Sequence, residues 1–126
     1  MTRTEFNRFC KSLPAATHVV QWGGSDVWKV GGKVFAICGD DYDGVAGITF
    51  KVSDLAYEIL RSEPGLRPAP YLASRGLKWI QRHRKPGPGT KEMRAHLAAS
   101  HALVVAGLTK KARAGLNLAS ERPSGT

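Results

Sequence analysis

Val27–Trp28–Lys29–Val30–Gly31–Gly32–Lys33–Val34–Phe35–Ala36 is the stretch that decides the fold. Two runs rich in β-branched and aromatic residues flank a Gly-Gly pair, and both glycines can take positive φ at no steric cost. The segment therefore reads as a β-hairpin. Its second arm continues through Ile37–Cys38 into the polar loop Gly39–Asp40–Asp41–Tyr42–Asp43–Gly44, and Ile48–Thr49–Phe50–Lys51–Val52 follows as a further strand. Upstream, His18–Gln21 is a short strand candidate. Together these give an antiparallel meander of three or four strands.

Helices bracket the meander. Thr2 with Glu5 three residues later is a capping-box pattern, and Phe6, Phe9, Cys10 and Leu13 then recur at helical spacing until Pro14 ends the run. Ser53 caps a middle helix with Asp54 in its first turn, and Leu55, Ile59, Ala56 and Leu60 are its expected buried face. The Leu66–Tyr71 stretch carries Pro68 and Pro70, so it is extended and unsuited to a sheet centre. Leu77–Arg82 reads as a strand, His83–Gly89 as a loop, and Thr90 as the cap of a helix running to about Gly107. A basic turn or short helix, Thr109–Arg113, comes last. Residues 1–118 form one domain on this reading, and 119–126 a flexible tail. The order is that of an α+β protein: an antiparallel meander with its N-terminal, middle and C-terminal helices packed on one face.

The bulk numbers agree. A chain of 126 residues with 42% hydrophobic and 23% charged side chains is one domain with a real core, not a disordered segment. No apolar run reaches the roughly 20 residues a membrane span needs, and the opening residues read as a helix, so no signal peptide is expected. Two cysteines are too few for a disulfide framework, and both sit where a core would be, so the expected address is the cytoplasm.

Charge is the informative quantity. The net +9 is carried entirely by the second half: residues 1–63 sum to −1 and residues 64–126 to +10. A field of one sign on part of a small domain attracts polyanions, nucleic acid first. The densest run holds Arg75, Lys78, Arg82, Arg84 and Lys85 in eleven residues with no acid among them, and ends in the flexible Pro86–Gly87–Pro88–Gly89. Such a strand and loop resembles a wing that reaches phosphates. Lys91 follows at a helix start, where backbone N–H groups favour anions, and Lys110, Lys111 and Arg113 form a second cluster. With about six phosphates engaged, log affinity should fall against log salt with a slope near −5.

Other chemistry is thinly represented. Phosphate-loop, zinc-protease, nucleophile-elbow and paired C-x-x-C signatures are absent, so no enzyme and no cofactor are expected. His96 and His101 are five apart, a spacing that points them to different helix faces, and no metal site is expected from them. Asp40, Asp41 and Asp43 lack the further ligands of a calcium loop. Cys10 and Cys38 read as inert core thiols, and Trp22, Trp28 and Trp79 as core rather than base-stacking residues.

The 27–36 hairpin, the leading helix ending Ser12–Leu13–Pro14, the Ile48–Lys51 strand and the Pro64–Leu72 segment together resemble the MmcQ/YjbR family. Trp79 and the closing Leu103–Val104 … Leu108–Arg113 extend the likeness to roughly residues 2–115. The resemblance implies a chaperone-like or frataxin-like α+β domain, and a DNA-binding role through a double-wing motif. Two features depart from relatives: Ser100 is followed by His101 where many have tyrosine, and the stretch after Trp79 is more basic. The expectation is thus a monomeric, non-catalytic protein that binds DNA phosphates, with Tyr71 and Trp79 holding the wing to the core. A protein- or peptide-binding adaptor and a small-molecule binding or resistance protein are the alternatives.

Overall fold

The structure is a computed structural model, and it describes residues 1–70, 72 and 75–118. Tyr71 and the tail 119–126 thus lie outside the described residues. In chain order the elements are α1 (Arg3–Lys11), β1 (Thr17–Gln21), β2 (Ser25–Val30), β3 (Lys33–Tyr42), β4 (Val45–Lys51) and α2 (Asp54–Leu60). β5 (Leu66–Pro68), β6 (Trp79–Arg82), α3 (Thr90–Ala106) and α4 (Lys110–Gly115) complete them. All strand pairings are antiparallel, in the order β1-β2-β3-β4-β6-β5. The meander is therefore four strands, and the later segments extend it to a six-stranded sheet.

The hairpin forms where its glycines demand. Val30 pairs with Lys33 across Gly31 and Gly32, whose φ values are +60° and +79°. From there the register sets two faces. Trp28, Ala36, Phe50, Ile80 and Pro68 form one cross-strand row, and Asp26, Cys38, Ile48, Arg82 and Leu66 the next row on the same side. The helices cover this side: Phe6 and Cys10 of α1, Tyr57 of α2, and Met93, Leu97 and Val104 of α3 join Phe35, Phe50 and Ile80 in one buried cluster. The opposite side carries Val27, Ile37, Thr49, Gln81 and Arg67. β5, at the sheet edge, is where Pro68 can lack a ladder donor.

Caps follow the sequence signals with one correction. Thr2 Oγ1 accepts from the Glu5 N–H at 3.1 Å while Glu5 Oε1 accepts from the Thr2 N–H at 2.8 Å, and Ser53 Oγ accepts from the Ala56 N–H at 3.2 Å. The cap of α3, however, is Gly89 rather than Thr90, and its N–H donates to Glu92 Oε1 at 3.1 Å.

α2 keeps Ala56 and Leu60 of its expected face inward but not Leu55 and Ile59. Tyr57 is buried with Ala56 and Leu60 partly so, whereas Leu55 and Ile59 are 73% and 55% exposed. Seven residues make fewer than two full turns, so one aromatic anchor fixes the rotation, and Tyr57 buries more area than either aliphatic residue. Replacing Leu55 by serine should accordingly change unfolding free energy by less than about 0.5 kcal/mol in urea titrations, where a buried leucine would cost several times more. Trp22 is also corrected: it is 63% exposed at φ +51°, beside the β1–β2 turn. Trp28 is core, its Nε1–H donating to Asn7 Oδ1 at 2.9 Å.

Both thiols are buried. Burial pushes Cys38 up to about 11 and Cys10 higher still, which leaves them protonated and unreactive at neutral pH. His101 packs inward, edge-on to Phe35, its Nε2 2.7 Å from the Pro14 carbonyl.

Candidate nucleic-acid interface

β6 and its following loop carry the densest basic run, and strand alternation sorts its members. Arg84 and Lys85 are exposed in the loop, and Lys91 is exposed in the first turn of α3. Arg75 is exposed, and Lys78 lies half-buried with its Nζ 4.5 Å from the centre of the Tyr57 ring. Arg82 does not face outward with them. It shares the core side with Ile80 and is 5% exposed, its Nη2 donating to the Met1 carbonyl at 2.8 Å and the Ala46 carbonyl at 2.7 Å. Its place as an outward phosphate contact is therefore corrected: any approach to it runs through a cleft.

The two basic clusters do not share an end of the sheet. Leu108, just before α4, packs on Gly31 in the β2–β3 turn, where an added Cβ would lie 2.7 Å from Leu108 Cδ1. Arg84 and Lys85 instead border a cleft with Gly44 of the β3–β4 turn and Val45 at the start of β4. The ten residues of β3 lie between, roughly 30 Å at the usual rise. Lys110 and Lys111 are exposed on α4, and Arg113 turns back so that its Nη1 donates to the Leu108 carbonyl at 2.8 Å and the Val105 carbonyl at 3.3 Å, closing the end of α3.

Residues beyond the expected set gather at the Arg84 end. Arg67 of β5 donates from Nε and Nη2 to Gln81 Oε1 at 3.0 and 2.8 Å and lies over the Tyr42 ring at 5.2 Å. His83 meets the same ring edge-on at 6.4 Å. Burial first, then Arg67 and Arg84, lowers the His83 pKa, which keeps it neutral at pH 7 and a ready acceptor. Among the described residues the ion pairs are Arg3–Asp26, His18–Asp26 and Arg61–Glu58, so Arg75, Lys78, Arg84, Lys85, Lys91, Lys110 and Lys111 have no carboxylate partner there.

A family model described as YjbR matches residues 11–103. The chain belongs to the YjbR family. The YjbR fold recurs in the crystal structure of a Deinococcus radiodurans protein with a DUF419 domain, at a TM-score of 0.81 and 22% identity over 98% of this chain and 93% of that one. A Pseudomonas syringae protein is similar at a TM-score of 0.66 and 22% identity, over 82% of this chain and 98% of its own. At such identity these likenesses show the fold alone. No curated protein matches the chain in sequence. Within this YjbR domain the Ser100–His101 pair is structural: Ser100 Oγ donates to the Lys51 carbonyl at 2.6 Å, tying α3 to β4, and no helix among the described residues is long and apolar enough to cross a membrane.

Proposed function

We propose that the protein binds nucleic acid non-catalytically, through the phosphates, at the β6–α3 end of the sheet. The observation that supports it is the group of exposed, unpaired cations there. Arg84 and Lys85 project from the loop beside Tyr42, over whose ring Arg67 lies, and Lys91 is exposed on the helix that the loop feeds. Cations already paired with carboxylates release no counterions on binding, whereas these have none among the described residues to exchange. Arg75 and Lys78 flank the other end of β6, and Lys110, Lys111 and Arg113 lie beyond β3, so a ligand seated at the loop does not engage all clusters together.

That separation changes the expected salt law. Three contacts give a slope of about −3 in log affinity against log salt, shallower than the value near −5 for the whole set. Fluorescence anisotropy with a labelled duplex between low and moderate salt measures it. Reversing Arg84, Lys85 and Lys91 to glutamate should weaken binding by on the order of 100-fold and flatten the slope, while Lys110→Glu with Lys111→Glu leaves both nearly unchanged. Equal losses from both variants would place the ligand elsewhere, and a flat salt response in the parent protein would remove the reading.

A further inference from the structure

Arg82 stands out because its guanidinium makes no ion pair among the described residues, Glu5 acting on it only at longer range. It lies in the cross-strand row Asp26–Cys38–Ile48–Arg82–Leu66, three strands and so roughly 14 Å from Asp26, which is already bonded to Arg3, Asn7 and His18. Two backbone carbonyls satisfy Nη2, but Nε is buried with no acceptor. A guanidinium offers five donors and stays protonated in proteins, and a buried charge left without a partner is costly. Burial pulls its pKa below the ordinary guanidinium value, in keeping with that cost.

A cleft of about 720 Å³ opens over this side chain. A Cβ added at Gly87 would lie 3.5 Å from Arg82 Cγ, so Gly87 rests on the Arg82 stem, and Arg84 and Lys85 also line the cleft. One wall is apolar, from Val45, Ala46 and the two loop prolines, and the volume falls within the usual range for small-ligand sites. Asp40 and Asp41 also line the cleft, with Asp40 accepting from the Tyr42 hydroxyl at 3.1 Å. Those two carboxylates repel a continuous phosphodiester chain laid through the cleft and favour a single compact anion seated by its cations.

We propose that this cleft binds a phosphate monoester, with the phosphate against Arg82 and Lys85 and the esterified group against the apolar wall. The inference shares Lys85 with the duplex reading but does not rest on it, because Arg82 and the apolar wall belong to the cleft alone. The same chemistry is found on a free nucleoside monophosphate and at the 5′ end of a nucleic-acid strand, so both are probes.

The test titrates the ¹⁵N-labelled full chain with inorganic phosphate, adenosine monophosphate, and a short single strand with or without its 5′-phosphate. Phosphate and the monophosphate should move the amide signals of Ala46, Arg84, Lys85 and Gly87, the monophosphate binding about tenfold more tightly through the wall. Stronger binding of the monophosphate than of the phosphorylated strand identifies a free small molecule, and the reverse order a strand end; either supports the monoester site. Arg82→Gln should abolish these shifts. Should that variant fail to fold, Lys85→Gln, whose side chain is exposed, should weaken monophosphate binding by about tenfold. Absence of shifts with both phosphate and the monophosphate overturns the proposal, as does a 5′-hydroxyl strand that moves the Ala46 and Gly87 signals as far as its phosphorylated twin. Unchanged affinity in Lys85→Gln overturns it too.

Discussion

Gly65→Ala should destabilise the protein by about 3 kcal/mol and displace the loop that carries Arg84 and Lys85. Gly65 ends the Glu63–Pro64–Gly65 turn at φ +79°, and its carbonyl accepts from the His83 N–H at 2.9 Å. A Cβ there would lie 2.2 Å from the Pro86 carbonyl oxygen, 2.4 Å from that of Arg84 and 2.7 Å from the Gly87 Cα. All three are backbone atoms, so no rotamer change relieves the clash; the loop itself must move. Gly32 supplies the control. It has the same φ of +79° but nothing within 4 Å of its Cβ position, so Gly32→Ala should cost only the left-handed backbone term, about 1 kcal/mol. Urea unfolding of the two variants separates conformational strain from collision, and equal losses would contradict the close approach.

The consequence for the site is direct. Gly65 is the floor on which the Arg84–Gly87 segment rests, and that segment both presents the outward cations and closes over Arg82. Gly65→Ala should therefore lower nucleic-acid affinity and monoester binding together, whereas substitution of Lys91 alone should touch only the first. A short turn thus sets the position of a functional loop some twenty residues further along the chain.

What could be read before the structure depended on how local the physics was. The Gly31–Gly32 hairpin and the Thr2–Glu5 cap are decided by residues within four positions of one another, and both are present. The rotation of α2 was not legible, because Leu55 and Ile59 fit helical periodicity as well as Tyr57 does, and only the packing against β5 and β6 chooses between them. Arg82 misled for a related reason. Alternation correctly groups it with Ile80, but an arginine on an apolar strand reads as solvent-facing until Met1 and Ala46 supply carbonyls from other parts of the chain. The distance between the basic clusters is purely tertiary, set by the length of β3, and adjacency along the sequence carries no trace of it. Arg67 was passed over because it stands outside the dense run, and its place beside Tyr42 depends on β5 joining the sheet edge.

Asp26→Asn should remove about 2 kcal/mol at neutral pH, and that deficit should close as the pH falls from about 4 to about 2. Asp26 fastens α1 to the sheet: Oδ2 accepts from Arg3 Nε at 2.6 Å and Asn7 Nδ2 at 3.0 Å, and Oδ1 lies 2.7 Å from His18 Nε2. Asn7 in turn accepts from Trp28, and Arg3 also donates to the Gly24 carbonyl, so the carboxylate sits at the centre of the joint. Burial alone would raise its pKa, but the hydrogen bonds from Asn7, Arg3 and His18 outweigh it and hold the group at about 2. Because the folded value lies below the ordinary carboxylate value near 4, the contribution is complete above that value and disappears as the native carboxylate is protonated. An asparagine keeps the shape and can still accept from Arg3 and Asn7 while its amide faces His18, so the loss is chiefly that of charge. The two proteins should therefore have converging unfolding free energies in acid, measured by urea titration at stepped pH. A constant gap across that range would mean that Asp26 acts by shape rather than by its charge.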